Sequence, residues 1–423
     1  MRRGVLFYIA LAVAAALTLG ACSDDDSELD ELLTQEDDTT NDSTDDDDEN
    51  DDDDDDEDDD EDSITPVDIE FDYSALDEDE EEFSSDDNDY VENSSFDNTV
   101  YLTYNGDEVT YTGATDEIDL YESGAHVTIK SEVSGMHYVL DGSTDDGSFK
   151  IYSEKKFKLT LNGVTITNPS GAAINNQCGK SFYIVLADGT TSAITDGSSY
   201  TSTVSGEDMK GAIFSEGQII FSGSGTLDVQ GNCKGGIVSD DYIIFRPGNV
   251  INVTTTVGNG VKSNDGIYVR GGVLNISVAG DGSKGINSEY VVDISGGRTT
   301  IITTGATEVD DTETTSSGGV KADTTMTMTG GILNIKNSGE GGKGINCDYD
   351  IRLGGGELNV VTLGEKTYAS PKGVKADGVI YITAGSVYSY SAYSDPIDGS
   401  GGLEIASGYT TLESGDRLFQ IVY

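Results

Sequence analysis

The sequence predicts an all-β fold, a right-handed parallel β-helix in which each repeat forms one coil of a single-stranded solenoid. From residue 210 onward, a small residue precedes an Ile or Val at intervals of 24, 24, 25, 34, 25 and 29 residues. Short β-rich runs broken by glycine turns follow each of these positions and leave no room for helices. A period near 24 holds three short strands, whereas a propeller blade needs four. Right-handed coiling follows from the chirality of crossover connections between parallel strands.

The register of the repeat supports the same fold. The recurring Ile or Val positions, called anchors here, are Ile213, Ile237, Val261, Ile286, Val320, Ile345 and Val374. Two residues after each anchor comes a small residue, in the order Ser215, Ser239, Ser263, Ser288, Ala322, Cys347 and Ala376. Alternate residues of a strand point to the same side, so both sets are expected to face inward and stack in columns.

Residues 1–22 are predicted to be a lipoprotein signal peptide. Two arginines precede a short apolar run that ends in Leu19-Gly20-Ala21-Cys22, a pattern typical of a lipobox. In such signals the cysteine is acylated, so we expect Cys22 to hold the protein to a membrane through lipid alone. The expected location is the outer surface of a bacterial cell.

Residues 23–97 are predicted to be a disordered acidic tether. Of the 80 acidic residues in the chain, 41 lie between residues 24 and 97, and the formal net charge of the whole chain is -57. Such a segment has little apolar surface to bury, and its charges repel one another, so it stays extended. The acidic balance argues against nucleic acid as a partner. We expect a monomer.

Residues 98–423 are assigned to the β-helix domain. Its early part lacks the clear repeat, as expected for the atypical end coils that protect a solenoid core from solvent. Residues 100–170 are therefore predicted to form the first cap, and a last strand within residues 410–423 the other.

The outer face of the anchor strands carries two charged columns. Lysines recur one residue after the anchors, at Lys262, Lys321 and Lys375, and acids three residues after them, including Asp323, Asp348 and Asp377. Coils stack about 4.8 Å apart, so neighbouring carboxylates repel unless they are compensated. The favoured interpretation is a self-neutralising structural ladder; the alternative is that these oxygens bind calcium or a ligand.

A second basic column lies two residues before the anchors, at Lys284, Lys343 and Lys372. Long or oxygen-rich loops leave the same corner, and Asp281, Asp310 and Asp311 within them are candidate calcium ligands. Solvated acidic loops are the competing interpretation. Near the C-terminus, Tyr388 and Tyr390 share one face and could stack on sugar rings. Ordinary enrichment of tyrosine in strands competes with that interpretation.

The chain resembles a bacterial family of carbohydrate-binding parallel β-helices that is related to pectate lyases. The resemblance covers residues 100–423 and rests on LTLNGVTITNPSGAAI, then YIVLADGTTSAITDG, then GAIFSEGQIIFSGSGTLDVQG and the following repeats. It implies a pectate-lyase-like solenoid that binds calcium and polysaccharide, including cellulose and polygalacturonate. Coils of that family commonly carry Asp two residues before the anchor, where this chain has Lys284, Lys343 and Lys372. A lysine-rich corner would instead bind an anionic sugar directly.

We therefore expect a surface-tethered protein that binds polysaccharide, acidic or cellulose-like, with calcium as the cofactor, and without turnover. The expected ligand contacts are Lys284, Lys321, Lys343, Lys372, Lys375, Tyr388 and Tyr390. One alternative is a calcium-dependent lyase in which Lys343 or Lys372 removes the proton α to a uronate carboxylate. The other alternative is a structural or adhesive surface protein without a ligand.

Overall fold

A computed structural model describes residues 88–201, 204–310, 312–408, 410–414 and 417–422. The described chain forms a parallel β-helix of about 11 turns, as the sequence predicted. Apart from strands, the described elements include only a three-residue 3-10 helix at Val91–Asn93. No helix in this part of the chain is long and apolar enough to cross a bilayer. The predicted signal peptide, Cys22 and most of the predicted tether lie outside the described residues.

Three parallel sheets run the length of the solenoid. Sheet 1 contains the anchor strands, which are Ala125–Ser131, Gly147–Ser153, Ile174–Asn176, Gly211–Ser215, Gly235–Ser239, Val261–Ser263, Lys284–Ser288, Gly318–Ala322, Lys343–Cys347, Val374–Ala376 and Ile397–Gly399. Sheet 2 follows sheet 1 in each coil and contains Phe157–Leu161, Phe182–Leu186, Ile219–Gly223, Tyr242–Phe245, Gly266–Val269, Val292–Ile294, Met326–Met328 and Gly402–Ile405.

Sheet 3 closes each coil. It contains Thr165–Asn168, Thr191–Asp196, Thr226–Gly231, Val250–Thr255, Val273–Val278, Arg298–Thr303 and Ile332–Asn337. Three longer strands pair with both sheet 2 and sheet 3: Met136–Thr144, Ile351–Thr362 and Val379–Ser391. Outside the coils, a small hairpin pairs Glu308–Val309 with Thr314–Thr315.

The predicted core columns are confirmed. Consecutive anchors from Ile213 to Val374 pair directly across sheet 1, and each is almost completely buried. The small residues after them pair in the same register. Their size suits the bend into sheet 2, where hydroxyls bond the turning backbone: Ser263 Oγ donates to Gly266 O at 2.7 Å and accepts from Gly266 N at 2.9 Å.

Close packing at the bend into sheet 1 explains the glycine before most anchors. A Cβ added at Gly285 would collide with the Ile301 side chain, which reaches across the core from sheet 3. The same conflict occurs two coils away between Gly344 and Val360. Glycine therefore leaves room for a β-branched side chain of the opposite wall, and the core is filled from sheet 3 at these positions.

Antiparallel strands cover both ends of the solenoid. At the N-terminal end Asn98–Asn105 pairs with Glu108–Thr112, and Ile118–Ser123 pairs with Ala125–Ser131. At the C-terminal end Thr410–Ser414 pairs with Leu418–Val422, which in turn pairs antiparallel with Val379–Ser391. The first cap is shorter than residues 100–170, because regular parallel coils already begin at Ala125–Ser131.

Residues 88–97, called the strap here, are not part of a tether as the sequence suggested. The strap lies on the outer face of sheet 2, where Tyr183, Ile220 and Ile244 are completely buried although they point outward. Phe96 contacts the Tyr183 ring edge-on at 5.6 Å between centroids. A row of outward apolar side chains cannot be left in water, so the acidic segment contributes its last aromatic residues as a cover.

Two arginines fix the strap. Arg246 bonds Glu92 at 2.9 Å and its guanidinium lies 4.4 Å from the centre of the Tyr90 ring. Arg270 bonds Asp89 at 2.9 Å. Charge pairing and ring contact thus act together, and Tyr90 is only 5% exposed.

Replacing Tyr90 by Ala is expected to release the strap while the solenoid stays folded. The lost ring burial is worth about 2 kcal/mol, enough to raise local opening by more than tenfold. Hydrogen–deuterium exchange of peptides covering residues 88–97 measures this. Tyr121→Ala, at a tyrosine that is 56% exposed, is the control. Unchanged protection of residues 88–97 in Tyr90→Ala would show that the ring does not hold the strap.

Candidate functional site

A basic pocket opens where sheet 3 passes into sheet 1. This edge of the solenoid, called the entry corner here, comprises residues 279–284, 304–310, 312–318, 338–343, 363–373 and 391–396 of successive coils. The pocket has a volume of about 210 Å³ and is lined by Lys284, Lys321, Lys343, Asn346 and residues 313–318. Residues 313–318 belong to the 34-residue repeat, whose extra residues fold back as the hairpin beside the lysines.

The coil register brings the three lysines together. Lys284 and Lys343 each begin a sheet 1 strand and pair with Gly318, which lies in the coil between them. Their backbones are therefore two coils, or about 10 Å, apart. Lys321 extends from the intervening strand, Gly318–Ala322, on the same outer face. Three ammonium groups thus converge although about 60 residues separate the first from the last along the chain.

Lys284 and Lys343 lack a carboxylate partner among the described residues. Lys284 Nζ donates to the Gly282 carbonyl at 2.6 Å, and Lys343 Nζ donates to the Ser316 hydroxyl. Burial, and after it the charge of neighbouring lysines, lowers the pKa of each to about 8. Desolvation and repulsion between the lysines both disfavour their charged forms. An anion that entered the pocket would offset both effects, because it would be attracted by both ammonium groups.

The other lysines of the two basic columns are neutralised by acids. Lys321 bonds Asp323 at 2.7 Å and Asp348 at 2.6 Å, and these bonds raise its pKa although burial opposes them. Lys375 bonds Asp377. These pairs are the self-neutralising ladder that the sequence favoured.

Lys372 is paired as well. It contacts both Asp395, at 2.9 Å, and Asp398. Burial opposes protonation, but the two hydrogen bonds raise the pKa of Lys372. Of the two lysines predicted as a lyase base, Lys343 therefore has the lowered pKa that a base requires and Lys372 does not.

The predicted calcium ligands do not form one site. Asp323, Asp348 and Asp377 are paired with lysines, as described above. Asp281 accepts from Ala306 N at 2.8 Å, and Asp310 accepts from the backbone of its own loop, with Thr312 N at 2.6 Å. Asp311 lies outside the described residues. The described carboxylates do not fit a calcium ion held by the protein alone, because each is committed to a lysine or to a backbone N–H group.

A different acidic group escaped the sequence analysis. Asp208, Glu216 and Asp240 bring their carboxylates within 4.8 Å of one another on the outer face of sheet 1. Lys210 lies among them, 3.2 Å from Asp208 and 3.0 Å from Asp240, and supplies the compensating charge. Glu216 and Asp240 belong to the repeated acid column, but Asp208 comes from a non-repeating segment whose path the periodicity does not predict.

The structure does not support a stacking surface at Tyr388 and Tyr390. Leu418–Val422 pairs beside both residues in the sheet, and Tyr390 is only 7% exposed. Burial raises the pKa of Tyr388. On the loops of the entry corner, Tyr368 and Tyr393 are 75% and 50% exposed.

Comparison with known proteins places this geometry in a family. A family described as "Carbohydrate-binding domain-containing protein" matches residues 123–289, 282–363 and 340–417. A solved structure of a polysaccharide lyase-like protein from C. thermocellum, a gadolinium derivative, has 22% sequence identity and a TM-score of 0.42, covering 73% of this chain and 98% of that one. No curated protein shows significant similarity. Because the family matches together span well over half of the sequence, the chain belongs to the carbohydrate-binding domain-containing family.

Proposed function

We propose that the protein binds an acidic, polygalacturonate-like polysaccharide through the basic pocket at the entry corner. The observation that carries this proposal is the pair of partly buried ammonium groups, Lys284 and Lys343, that form no ion pair with a described carboxylate. Holding a cation partly away from water without an ion-pair partner is costly, and the strands of sheet 1 fix the backbones of the two lysines two coils apart. A bound carboxylate would offset that cost.

The pocket lining favours a uronic acid over a neutral glucan such as cellulose. Hydroxyls of Thr314, Thr315, Ser316 and Ser317 line the pocket beside the lysines and can bond sugar hydroxyls. A cellulose chain would offer no charge to the lysines, whereas a galacturonate unit offers one carboxylate per ring. Membership of a carbohydrate-binding family supports a glycan rather than an inorganic anion.

The proposal includes display at the cell surface. The signal peptide and Cys22 would anchor the chain by lipid, and the acidic segment up to the strap would hold the solenoid away from the membrane. Cys22→Ser should move the mature protein from the membrane fraction to the soluble fraction; retention in the membrane would contradict the lipid anchor.

We include calcium as an ion that bridges the glycan to the protein. The half-exposed acids Asp323, Asp348 and Asp377 lie beside the pocket lysines, and their free oxygen positions suit calcium when a ligand carboxylate completes the set. Bridging requires no site formed by the protein alone, which is consistent with the dispersed carboxylates.

A calcium-dependent lyase is the second candidate, because one observation favours it. With a pKa of about 8, Lys343 is partly neutral near physiological pH and could accept the proton α to a uronate carboxylate. The electrons of that C–H bond would form a double bond as the glycosidic C–O bond breaks. The leaving oxygen would take a proton from solvent, which gives an unsaturated uronate and a chain with a new reducing end. A purely adhesive spacer, by contrast, would not need unpaired lysines.

Lys343→Ala is expected to weaken binding of polygalacturonate at least about tenfold, because it removes a desolvated positive charge from the pocket. Isothermal titration calorimetry measures the effect. Lys180→Ala, at an exposed lysine in the turn between sheets 1 and 2, removes the same charge elsewhere and should bind like the original chain. Equal losses in both variants would indicate nonspecific attraction to net charge.

The pocket also predicts a pH profile. A carboxylate prefers protonated lysines, so affinity should be full below pH 8 and fall as the pH rises through the pKa of about 8. In Lys343→Arg the guanidinium stays charged, so the decrease should become shallower. Affinity that stays constant from pH 6 to 10 would exclude the lysines as the binding groups.

Chelator treatment separates the calcium-dependent possibilities. Incubation of the full chain with polygalacturonate and calcium should give binding that weakens several-fold on addition of EGTA. A calcium-dependent increase in ultraviolet absorbance, lost in Lys343→Ala, would instead establish the lyase. Binding that is indifferent to EGTA would remove calcium from the proposal, and no binding to any polysaccharide would leave the adhesive spacer.

A further inference from the structure

The loops of the entry corner form a continuous edge along the solenoid axis. Backbone bonds link each coil to the next: Gly341 N donates to Glu365 O at 2.8 Å, Gly344 N to Lys372 O at 2.9 Å, and Gly373 N to Asp395 O at 3.1 Å. The loops that contain Tyr368 and Tyr393 are thus successive neighbours of the loop that precedes Lys343. Their order along the axis is set by the same ladder that aligns the lysines.

Tyr368 is held close to the pocket although its ring is exposed. The next residue, Ala369, packs against Gly341, since a Cβ added there would lie 3.2 Å from the Ala369 Cβ. Gly341 is two residues before Lys343. Tyr368 therefore projects from a supported backbone one coil beyond the pocket, and 75% of its side chain is exposed.

Tyr393 lies one coil further along the same edge. Its loop is attached through Lys372, whose ammonium contacts Asp395 at 2.9 Å and also Asp398. The acids that neutralise Lys372 therefore hold a second exposed ring in place. Along the edge the order is the unpaired lysines, then Tyr368, then Tyr393.

We propose that a 4-linked uronan lies along this edge, parallel to the solenoid axis, with one carboxylate in the lysine pocket and with following sugars stacked on Tyr368 and Tyr393. The inference rests on the proposed function and extends it from one sugar to a row of subsites. Successive coils are about 4.8 Å apart, a spacing similar to the length of one pyranose unit in an extended chain. Tyrosine rings provide the apolar surface that sugar faces need, and their hydroxyls reach polar groups.

Chain length tests this arrangement. Calorimetry of the full protein with galacturonate dimer and hexamer should show tighter binding of the hexamer. Tyr393→Ala should weaken hexamer binding about three- to tenfold and leave dimer binding unchanged, because the two sugars of the dimer reach only the pocket and Tyr368. Tyr368→Ala should weaken the binding of both the dimer and the hexamer by a similar factor. Tyr368→Phe keeps the ring and should retain most hexamer affinity. Tyr121→Ala, at the N-terminal cap, is the matched control.

The outcomes separate this inference from the proposed function. Loss of both dimer and hexamer binding in Lys343→Ala, beside a loss specific to the hexamer in Tyr393→Ala, supports both. Equal binding of dimer and hexamer, or hexamer binding unaffected by either tyrosine, overturns the row of subsites and leaves the pocket intact. Failure of the original chain to bind any galacturonate overturns both. Unchanged thermal melting of the tyrosine variants excludes misfolding as the cause of a loss.

Discussion

The structure depends on one constraint, the backbone hydrogen bonds between successive coils, which fix every residue above its counterpart at a spacing of about 4.8 Å. The anchors from Ile213 to Val374 satisfy this constraint by packing one on another inside the solenoid. Any side chain on the outside is stacked by the same bonds, whatever its charge. Charges of the same sign would then repel along a column, so each charged outer column needs opposite charges from a neighbouring column.

On most of the outer face of sheet 1, the repeat itself supplies the opposite charges. Lys321 lies between Asp323 and Asp348, and Lys375 bonds Asp377, so lysine and acid columns neutralise each other. Lys284 and Lys343 are exceptions in the described chain, because their position at the bend into sheet 1 keeps them from the acid column three residues past the anchor. The extra hairpin then encloses them. An unbalanced pocket thus arises where a repeated charge meets a non-repeating insertion.

The same constraint exposes surfaces that must be covered. Both ends of the solenoid would present unpaired backbone, and antiparallel strands cover them. The outward apolar row at Tyr183, Ile220 and Ile244 is covered by the strap, whose acids meet Arg246 and Arg270. A segment with the composition of a tether therefore becomes part of the fold at its last ten residues.

The sequence by itself determined the solenoid, its register and its inward columns, because the period of two dozen residues is set by local β-strand and turn preferences that repeat along the chain. It also identified the lysines of the entry corner, since they recur at a fixed distance from the anchors. Which lysines are paired was decided only by the tertiary structure. Asp395 and the hairpin beside Lys343 lie outside the repeat, and Asp398 lies one coil beyond Val374, the last anchor recognised in the sequence. The pairing of the last strand beside Tyr390 and the docking of the strap were likewise decided by the tertiary structure. Both depend on contacts between segments that no periodicity relates.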